Sequence, residues 1–245
     1  TLLFEHAGET LDQLGFAVSG LDDVTGDGVP DFLVGSPNAF WFGLRAGAAR
    51  VHSGATGLPV LSSGGQELGA RYGAALASVG DLDGDGTGDY AVGAPGAALD
   101  AGLVRAWSAT GLQQWTYQGI GGELGSALDG IGDADLDGVP DVVVGSPTRI
   151  IGADHDAGYV TVHRGTDGVP AIAALAGADA GHRFGTAVAG PGDVDQDGRA
   201  DFLAGAPGFD GPGFFPDDGR VELRSGLAQA LLWSATGTGG ERLGA

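Results

Sequence analysis

The sequence predicts an all-β protein, a β-propeller whose blades are four-stranded antiparallel sheets, and three observations carry that expectation. An acidic stretch recurs four times, as DVTGDGVPDFLVGSP from Asp23, DLDGDGTGDYAVGAP from Asp81, DADLDGVPDVVVGSP from Asp133 and DVDQDGRADFLAGAP from Asp193, at spacings of 58, 52 and 60 residues. Around each copy lie three further segments about one strand long, separated by Gly-rich turns. Four strands repeated at this period are the mark of propeller blades, because one blade cannot bury both of its faces alone.

The strands are expected in a fixed order. The first lies in the Gly-containing segments LGFAV at 14, YGAAL at 72, LGSAL at 124 and FGTAV at 184, whose small residues suit the crowded strand near a propeller axis. The second is the apolar run that closes each acidic stretch. The third alternates, in AARVHSG at 48, LVRAWSA at 103, YVTVHRG at 159 and RVELRSG at 220, and places His52, Trp107, His163 and Arg224 in one repeated packing column. The fourth is LPVLS at 58, LQQWTY at 112, PAIAAL at 170 and ALLWS at 230. The blades are therefore expected at residues 7–62, 63–117, 118–175 and 176–234. Residues 1–6 align with the outer strand of a preceding blade and 235–245 with the start of a following one.

Composition bounds the function. The 50 glycines and 11 prolines are periodic punctuation and not a sign of disorder. No run of 18 or more apolar residues is present, so no membrane insertion is expected. The absence of cysteine and lysine removes disulfides, thiol catalysis and Schiff-base chemistry. A formal charge of −21 argues against nucleic acid as partner.

Each acidic loop alternates oxygen-bearing residues at its positions one, three, five and nine, with a backbone carbonyl on offer at seven. The sets are Asp23, Thr25, Asp27, Val29 and Asp31; Asp81, Asp83, Asp85, Thr87 and Asp89; Asp133, Asp135, Asp137, Val139 and Asp141; and Asp193, Asp195, Asp197, Arg199 and Asp201. Oxygen-only donors in this alternation suit Ca²⁺, and glycine at position six permits the sharp turn around one ion. One ion per repeat, four in all, is expected, with the Thr25 loop the weakest. An EF-hand is excluded, since its bidentate Glu at position twelve is replaced by Val34, Val92, Val144 or Ala204 inside a β-run. Dockerin and thrombospondin type 3 loops come much closer together than these.

FG at 184, DxDxDGxxD at 193 and GAP at 205 together resemble the FG-GAP repeat, which builds the propeller of integrin α subunits and occurs in bacterial surface and secreted proteins. The likeness covers the chain in four copies. Leu replaces Phe at 14 and 124, and Ser replaces Ala in GSP at 35 and 145. The resemblance implies Ca²⁺ between the first and second strands of each blade, a ligand surface at the opposite end, a location outside the cell or on its surface, and a seven-bladed ring. Additional blades from a longer chain, or a second copy, are then expected to complete the array.

Successive turns of an up-and-down blade alternate ends, so the loops between second and third strands lie opposite the acidic ones. Two of them carry aromatic groups, Phe40, Trp41 and Phe42 in one and Phe209, Phe214 and Phe215 in the other, with Arg45 and Arg149 as cationic neighbours. Aromatic side chains beside polar groups are what recognition surfaces use. The expected function is thus calcium-dependent recognition, adhesion or scaffolding of a protein or glycan ligand, without catalysis. The alternative is the propeller portion of a secreted hydrolase or polysaccharide lyase, although no GxSxG or HExxH motif and no convergent acid pair stands out.

Overall fold

Four antiparallel four-stranded sheets follow one another along the chain and pack face to face as a β-propeller array. The computed structural model describes residues 3–150, 155–211, 217–226 and 228–245. The first sheet is β1 (Val18–Gly20), β2 (Phe32–Ser36), β5 (Ala48–His52) and β6 (Pro59–Gly64); a hairpin of β3 (Phe40–Trp41) and β4 (Leu44–Arg45) interrupts it between β2 and β5. The second is β7 (Ala75–Gly80), β8 (Asp89–Gly93), β9 (Leu103–Trp107) and β10 (Gln113–Gln118). The third is β11 (Ala127–Gly132), β12 (Asp141–Ser146), β13 (Tyr159–His163) and β14 (Leu175–Ala176). The fourth is β15 (Val188–Gly192), β16 (Asp201–Ala206), β17 (Arg220–Arg224) and β18 (Leu231–Thr236).

The core lies between sheets. Alternation sends one face of each strand to the preceding sheet and the other to the next. Leu33 and Val51 of the first sheet thus meet Tyr72, Leu76 and Val92 of the second. Val104, Ala106 and Trp115 meet Leu124, Val142 and Val144, and Val143, Val160 and Val162 meet Phe184, Phe202 and Ala204. The inner strands crowd: a Cβ on Gly190 would lie 2.5 Å from the carbonyl oxygen of Gly130.

The glycines of the repeat motif close the seams. A Cβ on Gly35, Gly93 or Gly145, the first residue of GSP or GAP, would come within 2.0 to 2.1 Å of the carbonyl oxygen of Gly73, Gly125 or Gly185 in the next unit. Those partners are the glycines of YG, LG and FG, with φ of +87°, +84° and +88°, a conformation open to glycine at little cost. Each motif therefore joins its own unit to its neighbour.

Two expectations need correction. The first strands begin three or four residues later than drawn, at Val18, Ala75, Ala127 and Val188. The preceding Gly-containing segments are turns, with left-handed backbone at pairs such as Arg71 and Gly73. In the third unit the fourth strand shrinks to Leu175–Ala176. Pro170 lacks an amide hydrogen, forms only an isolated bridge with His163, and leaves Ile172 to fill the core.

Candidate metal centre

Each acidic loop joins the innermost strand of a sheet to the second strand and is templated by its own carboxylates. The aspartate at position one accepts the amide of the glycine at position six: Asp23 from Gly28 at 2.6 Å, Asp81 from Gly86 at 2.8 Å, Asp133 from Gly138 and Asp193 from Gly198 at 2.9 Å. Those glycines have φ between +85° and +92° and open space where a Cβ would be, so the backbone conformation, and not crowding, demands glycine. The aspartate at position five accepts the amide at position seven, from Val29, Thr87, Val139 and Arg199. These Asx turns fix the positions of the carboxylate oxygens.

The aspartate at position nine is a latch. Asp31, Asp89, Asp141 and Asp201 are buried. One oxygen of each accepts an amide of its own loop, and the other accepts an amide in the turn between third and fourth strands. Asp89 takes Leu82 N and Ala109 N, both at 2.8 Å. Asp141 takes Ala134 N at 2.9 Å and Gly165 N at 3.1 Å, and Asp201 takes Val194 N at 2.7 Å and Gly226 N at 3.1 Å. Asp31 takes Gly54 N in the same way, but its own-loop partner is Thr25 N, at position three instead of two.

That shift tracks a difference at the loop entrance. Before the other three loops the innermost strand carries a bulge that ends on Gly80, Gly132 or Gly192, each at positive φ, directly before position one. The first loop has Asp22 at that place, without the positive φ, although the same two-against-one register forms, with Leu21 N donating to Asp31 O at 2.8 Å and Asp31 N to Asp22 O at 3.2 Å. This distinction is visible in the sequence as GDLD, GDAD and GDVD against DDVT, a signal the loop-position reading passed over.

Convergence follows the same division. Asp81, Asp83 and Asp85 each offer an oxygen within 4.8 Å of the others, as do Asp133, Asp135 and Asp141, and Asp193, Asp195 and Asp197. Crowding and burial leave a mark: the Asp89 carboxyl is pushed up to about 6, first by burial and then by the charges of Asp83 and Asp85, against the pull of the Leu82 and Ala109 amides. Asp141 is likewise pushed up to about 6 by burial, with Asp135 adding to it. Asp23 goes the other way, lowered chiefly by the Gly28 amide.

The FG-GAP repeat family matches residues 14–52 and 184–221 of this chain. Integrin alpha-V of Gallus gallus is 30% identical over 217 residues, covering 80% of this chain and 20% of the relative. Integrin alpha-IIb of Homo sapiens is 36% identical over 145 residues, covering 51% of this chain and 14% of the relative. The chain carries FG-GAP repeats. It spans about a fifth or less of the length of these integrin relatives. A solved rhamnogalacturonan lyase, YesW, overlays on this chain with a TM-score of 0.42 at 15% identity, covering 80% of this chain and 44% of that one.

At the opposite end of the FG-GAP blades the aromatic residues divide. Phe40 and Phe42 are exposed, Phe42 by 93%. Arg45 sits 5.8 Å from the Phe40 ring centre and donates to Leu11 O. Trp41 folds back onto Gly64, where a Cβ would strike its ring, and meets Phe42 edge to face. Phe209 is half-buried against the core between the third and fourth sheets, with His182 and Arg220 on its ring. Arg149 donates to Ile120 O at 2.6 Å and lies over Tyr159. Phe214 and Phe215 fall outside the described residues.

Sequence reasoning missed Arg105. It is 7% exposed, yet it lines a groove of about 420 Å³ together with Trp41, Phe42 and Trp107. Strand alternation held the signal, since Leu103 and Trp107 pack toward the first sheet and Arg105 lies between them on the same face.

Proposed function

We propose that this chain is a calcium-stabilised extracellular propeller that recognises a protein or glycan and carries out no chemistry on it. The observation that carries the reading is the triple convergence of carboxylates. Oxygens on opposite sides of one Ca²⁺ stand about 4.6 to 5.2 Å apart, given metal–oxygen distances of about 2.3–2.6 Å, and the clustered oxygens here lie within 4.8 Å. The raised carboxyls of Asp89 and Asp141 fit the same account, because a cation would offset the burial of the carboxylate first and the neighbouring negative charges second. Asp81, Asp83, Asp85, the Thr87 carbonyl and Asp89 would hold one ion, and the corresponding positions of the other loops would hold the rest, weakest at Thr25.

Calcium would fix loop geometry and tie the inner strands to the turns that the position-nine latches reach. The acids are engaged with backbone amides and with one another, an arrangement suited to ligation and not to proton transfer. Integrin alpha relatives support a recognition or adhesion role. Extracellular millimolar calcium would saturate sites of modest affinity. Blades at 7–62, 63–117, 118–175 and 176–234 follow the repeat period. Phe16 and Val18, exposed on the side of the first sheet away from the second, support packing by a further blade or a second copy.

Metal counting on two variants tests the reading. Asp83→Ala should lose about one calcium per chain, in line with the charge count of the loop, while Asp100→Ala, on an exposed turn outside the loops, should keep the full complement. Equal calcium in both variants overturns the assignment.

A further inference from the structure

We propose that the groove between the first and second sheets binds a carboxylated sugar, a uronic acid residue, through Arg105. This rests on the recognition reading and names the ligand class. The groove runs along the outer part of the two sheets, between the β3–β4 hairpin with β6 on one side and β9 with β10 on the other. Its volume, about 420 Å³, is that of a small-molecule site.

The guanidinium is the unusual element. Arg105 is more than nine-tenths buried, and no carboxylate among the described residues reaches ion-pair distance of it. Its hydrogen bond is from Nε to Thr116 Oγ1 at 3.2 Å. Instead of an anion, two aromatic rings hold it, Tyr72 at 5.6 Å and Trp107 at 5.8 Å. Those rings are themselves pinned, since Trp107 Nε1 donates to the Tyr72 hydroxyl at 2.7 Å and that hydroxyl pairs with Ser63 Oγ at 3.0 Å. A buried charge ordinarily carries a partner. The same strand position in the fourth sheet shows one: Glu222 is bridged by Arg220 and Arg224. In the third sheet the position is Thr161, bonded to His163. In the first sheet the position is Arg50, likewise outside every ion pair among the described residues, but it is only half-buried and shares its groove with Glu9 and Asp12. Arg105 differs in being more than nine-tenths buried, in a chain of charge −21 and in a groove whose lining holds no acid.

The rest of the lining selects the body of the ligand. Trp41 and the exposed Phe42 form an edge-to-face pair at 5.3 Å beside the cation, and the negative faces of such rings attract the polarised C–H groups of a pyranose. Gln66 and Gln113 offer both donors and acceptors, the mixed partners that ring hydroxyls need. An acidic peptide side chain would use the guanidinium and leave the amides and rings unmatched. A uronate uses all three: carboxylate on the free end of the guanidinium, ring face on the aromatic pair, hydroxyls on the amides.

Calorimetric or NMR titration of the calcium-loaded chain tests this with galacturonate and glucuronate oligosaccharides, their methyl esters, and an Asp-containing peptide. The acidic sugars should bind, and the esters at least about tenfold more weakly, the difference expected for a charge-assisted hydrogen bond. Arg105→Gln should lose the acid preference. Phe42→Ala, altering a side chain in solvent, should weaken sugar binding several-fold with an unchanged melting temperature. Equal binding of acid and ester, or peptide binding in place of sugar, overturns the proposal. Binding of neither, with calcium content intact and a protein ligand captured elsewhere on the surface, overturns it while leaving the recognition reading standing.

Discussion

The first acidic loop and the second share a length, a position-six glycine and a buried position-nine aspartate, yet one gathers its acids and the other does not. In the second, Gly80 enters at positive φ, a bulge sets the register, and Asp81, Asp83 and Asp85 converge. In the first, Asp22 replaces the glycine and lacks its positive φ, and the latch takes its amide one residue later. The difference teaches that whether such a loop gathers its acids depends on the residue at its entrance as well as on the acids themselves.

Chelation sharpens the contrast most. If each converged site is filled at about a hundred times its Kd, each contributes about 2.7 kcal/mol; removal of calcium should then lower the melting temperature by on the order of 10 °C or more. Amide exchange should speed up in the second, third and fourth loops and much less in the first. An unchanged melt after verified metal removal would overturn the calcium role, and uniform exchange would erase the division between loops.

Next is the latch. Asp141→Ala strips the acceptor from the buried amides of Ala134 and Gly165 and should cost roughly 2–4 kcal/mol, against a smaller loss for Asp31→Ala, whose loop has no converged cluster to lose with it. Denaturant melts of the two variants give the comparison, and equal losses would mean that the latch acts through hydrogen bonds alone.

The histidines in the shared third-strand column separate the same two kinds of sheet. Both rings bond a turn carbonyl through Nδ1, His52 to Gly57 and His163 to Gly168, but only His163 also finds a partner for Nε2, in Thr161. Burial lowers His52 and holds His163 down at about 4. The unfolded chain takes up its proton near the ordinary histidine value of about 6.5, before folded His163 can, so stability falls as pH drops from about 6.5 toward 4, by up to about 3 kcal/mol. His163→Phe should flatten that part of the pH–stability curve in saturating calcium; an unaltered slope would show that another group carries it.

The smallest effect is a gain. Asp22→Gly combined with Thr25→Asp should allow the positive-φ entrance of the other loops and the missing carboxylate at once, raising calcium affinity at the first loop about tenfold or more through added ligand charge. Thr25→Asp alone should gain less. If the single variant gains as much as the double, the entrance does not matter.

Much of this was legible beforehand. Four strands per unit, the loop positions and the inter-sheet core all follow from period and alternation, which local sequence states directly. Strand starts were less legible because the turn at Arg71 and Gly73 is set by contact with the preceding sheet, and a repeat read alone does not display its neighbour. Arg105 escaped for a related reason: its strand mates revealed its face, but the groove it lines is built from Trp41 and Gly64 of another sheet. The aromatic hairpin was visible as composition, while the fold-back of Trp41 depended on a glycine more than twenty residues away.

The glycine seams have a consequence for how such a chain tolerates change in copy number. Every internal interface is closed by the same small key, the glycine of one unit against that of the next, so the backbone contact is common to all junctions while the side chains packed across them differ. Duplication or loss of a whole repeat then keeps that backbone contact at the new junction, whereas one added methyl group at Gly93 or Gly145 would interrupt the row at that joint. Lineages can lengthen such a protein by units more readily than they can alter a single atom at its hinges.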